Sequence, residues 1–125
     1  MKIIFDTFAW IEFFEGTKKG KIVKDFLCEN EIITPLIVFL ELSYKADKEH
    51  WNFREIVNYI KHNSEIIGMN ENFIFSFGKL YNKVKKNIRG ISIVDVVLLH
   101  TAMLKNAKVL TGDKHFKGFK EAMIL

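Results

Sequence analysis

Short apolar runs alternate with segments of helical periodicity along this sequence, and that alternation limits the fold more than any other feature. Each run contains Ile or Val, and the runs lie at Lys2–Phe5, Ile32–Thr34, Glu65–Gly68 and Lys108–Leu110, with a fifth candidate at Ala122–Leu125. Short strands joined by helices predict a parallel sheet covered on both faces. We therefore predict an α/β fold, a three-layer α/β/α sandwich with a short parallel sheet of four to five strands.

The segments between the runs predict six helices. Apolar residues recur in them at intervals of three and four, as they do at Phe73, Phe77, Leu80, Tyr81 and Val84. The predicted helices cover about 9–14, 18–30, 36–46, 51–60, 73–89 and 93–105, and the fifth of them has a basic end. No repeat, low-complexity tract or Pro/Gly-rich linker interrupts the 125 residues, so we expect a single domain over residues 1–125.

Composition excludes several classes of protein. The N-terminal apolar run is shorter than a signal peptide requires, and Ile32–Leu40 is far short of the roughly 20 residues that span a bilayer. A lone Cys28 can form neither an internal disulfide nor a thiolate metal site. We expect a cytoplasmic protein with no membrane contact. The net charge of +4 and a pI near 9.1 permit a nucleic-acid partner without requiring one.

Four acidic residues follow the predicted strands in a consistent way. Asp6 ends the first strand and Asp113 comes just past the fourth, while Asp95 lies in the first turn of the helix that leads into the fourth. Glu41 lies inside the helix after the second strand. Sites in open parallel sheets form beyond the carboxyl ends of the strands. We therefore expect these carboxylates to converge at that edge.

Each acid also has a purely structural interpretation. Asp6, Asp95 and Asp113 are all placed to cap a helix, and Glu41 is placed to pair with Lys45 one turn later. Glu41 fits its structural interpretation least, because it is enclosed by apolar residues and an ionised carboxylate is costly to bury unpaired. Converging carboxylates repel one another unless a cation lies between them. Mg²⁺ or Mn²⁺ suits such oxygen ligands.

These residues stand in motifs that resemble those of PIN-domain nucleases, especially the VapC-like toxins of prokaryotic toxin–antitoxin pairs. The motifs are a strand that runs into Asp6-Thr7 with Trp10-Ile11-Glu12 after it, Glu41 in a helix, Ile91–Asp95 opening another helix, and Leu110–Phe116. The likeness extends from residue 2 to about residue 119. Phe8 departs from the pattern, since relatives more often carry a small residue there.

The resemblance implies a ribonuclease that hydrolyses RNA phosphodiesters with one or two Mg²⁺ or Mn²⁺ ions. It implies that the ions are held by four acids, Asp6, Glu41, Asp95 and Asp113. It also implies that polar side chains support these acids, namely Thr111, Thr7 and Ser92. The implied partners are RNA, a small antitoxin protein and a second copy of the chain in a homodimer.

Basic residues near the predicted site are candidates for RNA contacts, because phosphate contacts dominate nucleic-acid affinity. A solvated helix end explains the first four of them equally well. They are Lys83, Lys85, Lys86, Arg89, Lys114 and Lys117. His115 follows a loop acid and is expected at the surface, and His100 is expected on a different helix face from Asp95.

Other functions remain open at this point. A housekeeping RNA-processing nuclease would carry the same acids. A non-catalytic acidic-pocket module, such as a phosphoacceptor switch, is a second alternative. Such switches usually have paired acids after the first strand, whereas here Phe5-Asp6-Thr7 offers one. No HExxH, GxGxxG or P-loop pattern occurs, which argues against zinc proteases, dinucleotide enzymes and NTPases.

Overall fold

The computed structural model describes residues 1–125 and contains one five-stranded parallel sheet. Its strands are β1 (Lys2–Phe5), β2 (Glu31–Pro35), β3 (Glu65–Ile67), β4 (Lys108–Thr111) and β5 (Ala122–Ile124). The helices are α1 (Thr7–Glu15), α2 (Lys18–Glu29), α3 (Leu36–Glu49), α4 (Phe53–Asn63), α5 (Glu71–Asn87) and α6 (Ile93–Lys105). A short 3₁₀ turn covers Lys114–Phe116. The predicted α/β class, strand number and parallel sheet are confirmed.

The strand order is β3-β2-β1-β4-β5. Strands β2 and β3 therefore lie on one side of β1, and the chain then crosses to the other side of β1, where β4 and β5 lie. Crossovers between parallel strands are right-handed, which puts α1 to α4 on one face and α5 and α6 on the other. The contacts agree, because α1 packs on α2 and α3, whereas α5 packs on α6. The two strands that carry acids at their carboxyl ends, β1 and β4, are direct neighbours.

The core consists of the two covered faces of the sheet and the helix residues that face them. Ile3, Ile4 and Phe5 of β1 are fully buried, as the continuous apolar run predicts for a central strand. Phe73 and Val84 are buried and the rest of their stripe on α5 is partly buried, so that stripe is mainly core. Among the helices, none combines the length and apolar character needed to cross a bilayer.

Several boundaries differ from the sequence predictions by one to three residues, and the ends of β2 and α3 have a clear physical reason. The prediction ended the second strand before Pro35, but Pro35 is the last residue of β2 and pairs in register with Ile67. It also occupies the position before α3, where its missing N–H costs nothing. Helix α3 runs three residues past Ala46 to Glu49 and ends at His50 in the left-handed conformation.

Helix α1 is fixed to the sheet by a buried polar contact as well as by packing. The indole Nε1 of Trp10 donates to the hydroxyl of Thr34 at 3.2 Å, and that hydroxyl lies 2.8 Å from the hydroxyl of Ser64. Trp10 and Thr34 are fully buried, so each polar group needs such a partner. This contact fixes the helix that follows Asp6.

Candidate acidic site

A cleft of about 320 Å³ opens at the carboxyl ends of β1 and β4. All four predicted acids line it, together with Thr7. The complete lining is Asp6, Thr7, Phe8, Ile11, Glu41, Val94, Asp95, Leu98, Gly112 and Asp113. The edge of the sheet therefore brings together carboxylates from distant parts of the sequence, from Asp6 to Asp113.

Asp6 is the most deeply placed of these acids, with 6% of its surface exposed. It is also the N-cap of α1, and its Oδ1 accepts a hydrogen bond from the Ala9 amide at 2.7 Å. The pKa of Asp6 is raised to about 7, chiefly by burial and also by the charges of Glu41 and Asp95, while the Thr111 hydroxyl and the Ala9 amide oppose the shift. Near neutral pH this carboxyl therefore holds its proton or needs a compensating cation.

Glu41 reaches the cleft from α3 and does not form the pair suggested by its position in the helix. Lys45 pairs with Glu49 instead, at 3.3 Å. The Oε1 atom of Glu41 accepts a hydrogen bond from the Thr7 hydroxyl at 2.5 Å. Thr7 thus links the first turn of α1 to the acid on α3, and the carboxylate is aimed into the cleft, where it is half-buried.

Asp95 is both a capping residue and part of the cleft. Its backbone amide donates to the Ser92 hydroxyl at 3.1 Å, and its Oδ2 accepts from the Ser92 amide at 3.2 Å, which completes a capping box at the start of α6. Desolvation raises the pKa of Asp95, the Ser92 amide lowers it, and the nearby Asp113 carboxylate raises it. Asp95 can take part in the capping box and still line the cleft, because the capping box holds its side chain in place.

Asp113 is held by the residues on either side of it. Its amide donates to the Thr111 hydroxyl at 2.9 Å, and its Oδ1 accepts from the His115 amide at 2.8 Å, which caps the 3₁₀ turn. Thr111 is fully buried under the cleft and also contacts Asp6. The predicted supporting hydroxyls of Thr7, Ser92 and Thr111 therefore each contact one or two of the four acids.

His115 is expected at the surface, and its side chain is 42% exposed, but its ring also lies against two of the acids. Its ring is half-buried beside the cleft, with Nδ1 2.8 Å from Oδ1 of Asp113 and 4.0 Å from Oδ2 of Asp95. The turn that Asp113 caps brings the ring back toward the acids. The only sequence signal was that His115 lies two residues after Asp113. His100 lies elsewhere as predicted, buried in contact with Ser76 and Phe73.

The six basic candidates do not line the cleft. All of them are exposed, and they lie at the end of α5 and in the turn after β4. Lys85 has a structural role, because its Nζ donates to the Ile91 carbonyl at 3.0 Å and so fixes the loop before α6. Contact between the other lysines and RNA stays a prediction.

Phe8 forms one wall of the cleft, in place of the small residue expected there. Its ring lies against Gly112, where a Cβ atom would come within 2.4 Å of two ring carbons. On α2, the Lys19 Nζ lies 5.5 Å from the centre of the same ring. The ring at position 8 therefore leaves no room for a Cβ atom at position 112 unless the ring moves.

We expect Gly112→Ala to lower the free energy of unfolding by about 1–2 kcal/mol, because the added methyl displaces the Phe8 ring. In a Phe8→Ala background the same change should cost little, since the obstructing ring is gone. Urea unfolding of the two single variants, the double variant and the wild type measures the coupling. Simple additivity of the two single effects would show that the ring and Gly112 are not in contact.

The donor set of the cleft fits a hard divalent cation. Four carboxylates converge, and two of them have raised pKa values because burial and neighbouring negative charges disfavour ionisation. Mg²⁺ and Mn²⁺ take carboxylate oxygens and water as ligands. A cation among these acids would remove the cost of their ionisation.

Comparison with known proteins gives a consistent result. The family model described as PIN domain matches residues 3–122. The chain is 29% identical over 121 residues to Ribonuclease VapC1 of Methanocaldococcus jannaschii, covering 96% of this chain and 82% of that protein. Among solved structures, it resembles VapBC2 from Rickettsia felis bound to a promoter DNA fragment, with a TM-score of 0.76 and 19% identity over 100% of this chain and 98% of that one.

It also resembles VapBC-1 from nontypeable Haemophilus influenzae, with a TM-score of 0.74 and 21% identity over 100% of this chain and 97% of that one. At these identities the structural matches concern the fold, and the fold they share is the one described above. The family model covers the chain from the first strand to the last and therefore includes all four acids. The protein belongs to the PIN domain family.

Proposed function

We propose that this protein is a metal-dependent endoribonuclease that hydrolyses RNA phosphodiesters in the acidic cleft. The observation that carries the proposal is the convergence of four carboxylates around a buried Asp6 whose pKa is raised to about 7. Its relative from Methanocaldococcus jannaschii is named a ribonuclease, which supports RNA as the substrate.

In this proposal Asp6, Glu41, Asp95 and Asp113 hold one or two Mg²⁺ or Mn²⁺ ions. When bound, the ion supplies the positive charge that lowers the pKa of water and stabilises negative charge at the phosphodiester. The protein's own contribution is to fix the acids before RNA arrives. Acids that are already in position do not have to rearrange during the reaction.

Three hydroxyl-bearing residues hold these acids in place. Thr7 orients Glu41 by its hydrogen bond, and Ser92 holds Asp95 in the capping box. Thr111 contacts both Asp6 and Asp113 from below the cleft. Lys114 and Lys117 are exposed and follow Asp113 closely in the sequence, so in this proposal they contact the phosphates that flank the cut.

We further propose that the nuclease is the toxin of a toxin–antitoxin pair, rather than a housekeeping enzyme. Support comes from the solved relatives, which are VapBC complexes. A cleft of about 480 Å³ between α1 and α4, lined in part by Phe14, Trp51, Ile56 and Tyr59, is a candidate surface for the antitoxin. Trp10 takes no part in it, because that side chain is fully buried.

The remaining parts of the proposal concern assembly and location. We propose one PIN-like domain over residues 1–125 that acts in the cytoplasm, where RNA is available, and that forms a homodimer. The exposed stripe of Leu36, Leu40 and Tyr44 on α3 supports the homodimer, since each of these side chains is more than half exposed, at 53%, 65% and 66%.

The proposal is tested by incubating the purified protein with single-stranded and structured RNA in Mg²⁺, in Mn²⁺ and in EDTA. We expect internal cleavage with either ion and none in EDTA, and activity should return when the ion is restored in excess. The protein should first be unfolded and refolded so that no bound inhibitor remains. Refolded protein that binds either ion but leaves every RNA intact would rule out the nuclease.

A further inference from the structure

The polar atom in the cleft region with no assigned role is Nδ1 of His115. It is buried and has no hydrogen-bond partner, although it lies 2.8 Å from Oδ1 of Asp113 and 4.0 Å from Oδ2 of Asp95. That Asp113 oxygen already accepts a hydrogen bond from the His115 backbone amide. The ring nitrogen therefore faces two carboxylates without being bonded to either of them.

This arrangement matches the spacing of ligands around one metal ion. Two ligands with bonds of about 2.1 Å to the same ion lie at most about 4.2 Å apart. The separations of Nδ1 from the Asp113 and Asp95 oxygens, 2.8 Å and 4.0 Å, both fall within that limit. Ligand atoms of all three residues lie within 4.8 Å of one another. A neutral ring nitrogen and a carboxylate oxygen both present lone pairs, so a cation beside them removes their repulsion.

The His115 ring is held in this orientation from two directions. On one side the turn capped by Asp113 positions its backbone. On the other side lies Gly90, where a Cβ atom would come 3.3 Å from Nε2 of His115. Gly90 adopts φ +84°, which glycine accommodates and other residues rarely do. The ring therefore reaches the acids with Nδ1 inward and with Nε2 toward the Gly90 loop.

We propose that Nδ1 of His115 binds the divalent ion together with Asp95 and Asp113, and that this nitrogen makes the site prefer Mn²⁺ to Mg²⁺. Imidazole nitrogen is a good ligand for transition metals, whereas Mg²⁺ takes oxygen ligands and keeps its waters. Asp6 and Glu41 offer oxygens only. The inference rests on the metal site of the proposed function, but it requires ion binding and not RNA cleavage.

The test is calorimetric titration of the metal-free full chain with MnCl₂ and, separately, with MgCl₂. We expect His115→Ala to weaken Mn²⁺ binding about 10–100-fold, since even residues that only orient a ligand change metal affinity by that much. Mg²⁺ affinity should change by less than about threefold, because its oxygen ligands are intact. His115→Gln, which keeps a polar side chain of similar reach, should weaken Mn²⁺ binding in the same direction.

The control is His62→Ala, which removes an exposed histidine whose Nδ1 contacts the Asn58 carbonyl on α4. It should leave the affinities for Mn²⁺ and Mg²⁺ unchanged. The effect of His115→Ala could then be assigned to His115 itself and not to the removal of any histidine. As a measurement on the wild-type chain, substoichiometric Mn²⁺ should broaden the His115 ring signals in the NMR spectrum before those of His62. This measurement does not depend on whether a His115 variant folds.

Three results would overturn the inference. They are unchanged or stronger Mn²⁺ binding by folded His115→Ala, an equal loss for both ions, and His115 ring signals that stay sharp in Mn²⁺. Stronger binding would show that the ring acts as a cationic partner of the acids. Failure of the proposed function looks different, because wild-type protein that binds neither ion removes both proposals. Wild-type protein that binds Mn²⁺ and cuts RNA, with unchanged affinity in His115→Ala, removes this one alone.

Discussion

Replacing Asp6 by Asn is expected to reduce RNA cleavage about 10²–10³-fold, which corresponds to about 3–4 kcal/mol of transition-state stabilisation. The change removes the charge of the most buried of the proposed ligands while leaving the shape of the side chain. Asn is also a good N-cap, so the hydrogen bond from the Ala9 amide to position 6 is retained. Cleavage rates at saturating Mg²⁺ and Mn²⁺ measure the loss.

The same substitution should stabilise the metal-free protein at neutral pH. The folded-state pKa of Asp6, about 7, lies above its ordinary value of 3.8, so the folded chain binds more protons than the unfolded chain between these pH values. Wild-type stability from this group is therefore fully present below about pH 4 and is lost as pH rises through 7. Because one pKa unit is worth about 1.4 kcal/mol, Asp6→Asn should gain up to about 4 kcal/mol by pH 8.

Thermal unfolding in EDTA between pH 4 and pH 8 measures this gain. The gap between Asp6→Asn and the wild type should widen with pH, whereas Asp25→Asn, at an exposed position on α2, should show no such trend. Adding Mn²⁺ should raise the melting temperature of the wild type far more than that of Asp6→Asn. If the variant is less stable than the wild type at every pH, burial does not destabilise the ionised Asp6.

Gly20→Ala should give the largest loss of stability of any Gly→Ala substitution in this protein. A Cβ atom at position 20 would lie 2.0 Å from the carbonyl oxygen of Glu12. Because that oxygen is backbone, relief requires α1 and α2 to move apart, and Asp6 is the N-cap of α1. We expect a loss of about 3 kcal/mol, at the upper end for overpacking. This corresponds to a fall in melting temperature of about 10 °C.

Gly78→Ala is the matched control, because it adds the same methyl to a helical glycine. Nothing lies within 4 Å of a Cβ atom at position 78 on α5. Alanine there should raise stability by about 0.5–1 kcal/mol through helix propensity alone. Opposite signs for the two substitutions are the expected result. A Gly20→Ala variant as stable as the wild type would mean that α1 and α2 are not in close contact at Gly20.

The alternation of strands and helices was readable from the sequence because hydrophobic periodicity is a local property. Strand β1 was predicted with its observed bounds, and so was α6, where Ser92 and Asp95 mark the start. The ends that were missed depend on neighbouring elements. Pro35 belongs to β2 because it pairs with Ile67 of another strand, and no local signal shows that pairing.

The convergence of Asp6, Asp95 and Asp113 also followed from the sequence, because the carboxyl ends of parallel strands share one edge. Glu41 was harder to place, since its partner Thr7 lies 34 residues away. The sequence could show that an acid among apolar residues is costly to bury. It could not show which group would hold that acid.

Only the tertiary structure decided the position of His115 and the contacts of the glycines. The His115 ring reaches the acids because a turn capped by Asp113 reverses the chain beside Gly90, and this depends on loop geometry. The approach of α1 to Gly20 depends on how two helices cross. The sequence by itself determined the helices and strands and the edge of the sheet where the acids meet, because hydrophobic periodicity and strand direction depend on residues that are close together in the sequence. The distances between side chains came from packing, because they join residues that are remote along the chain.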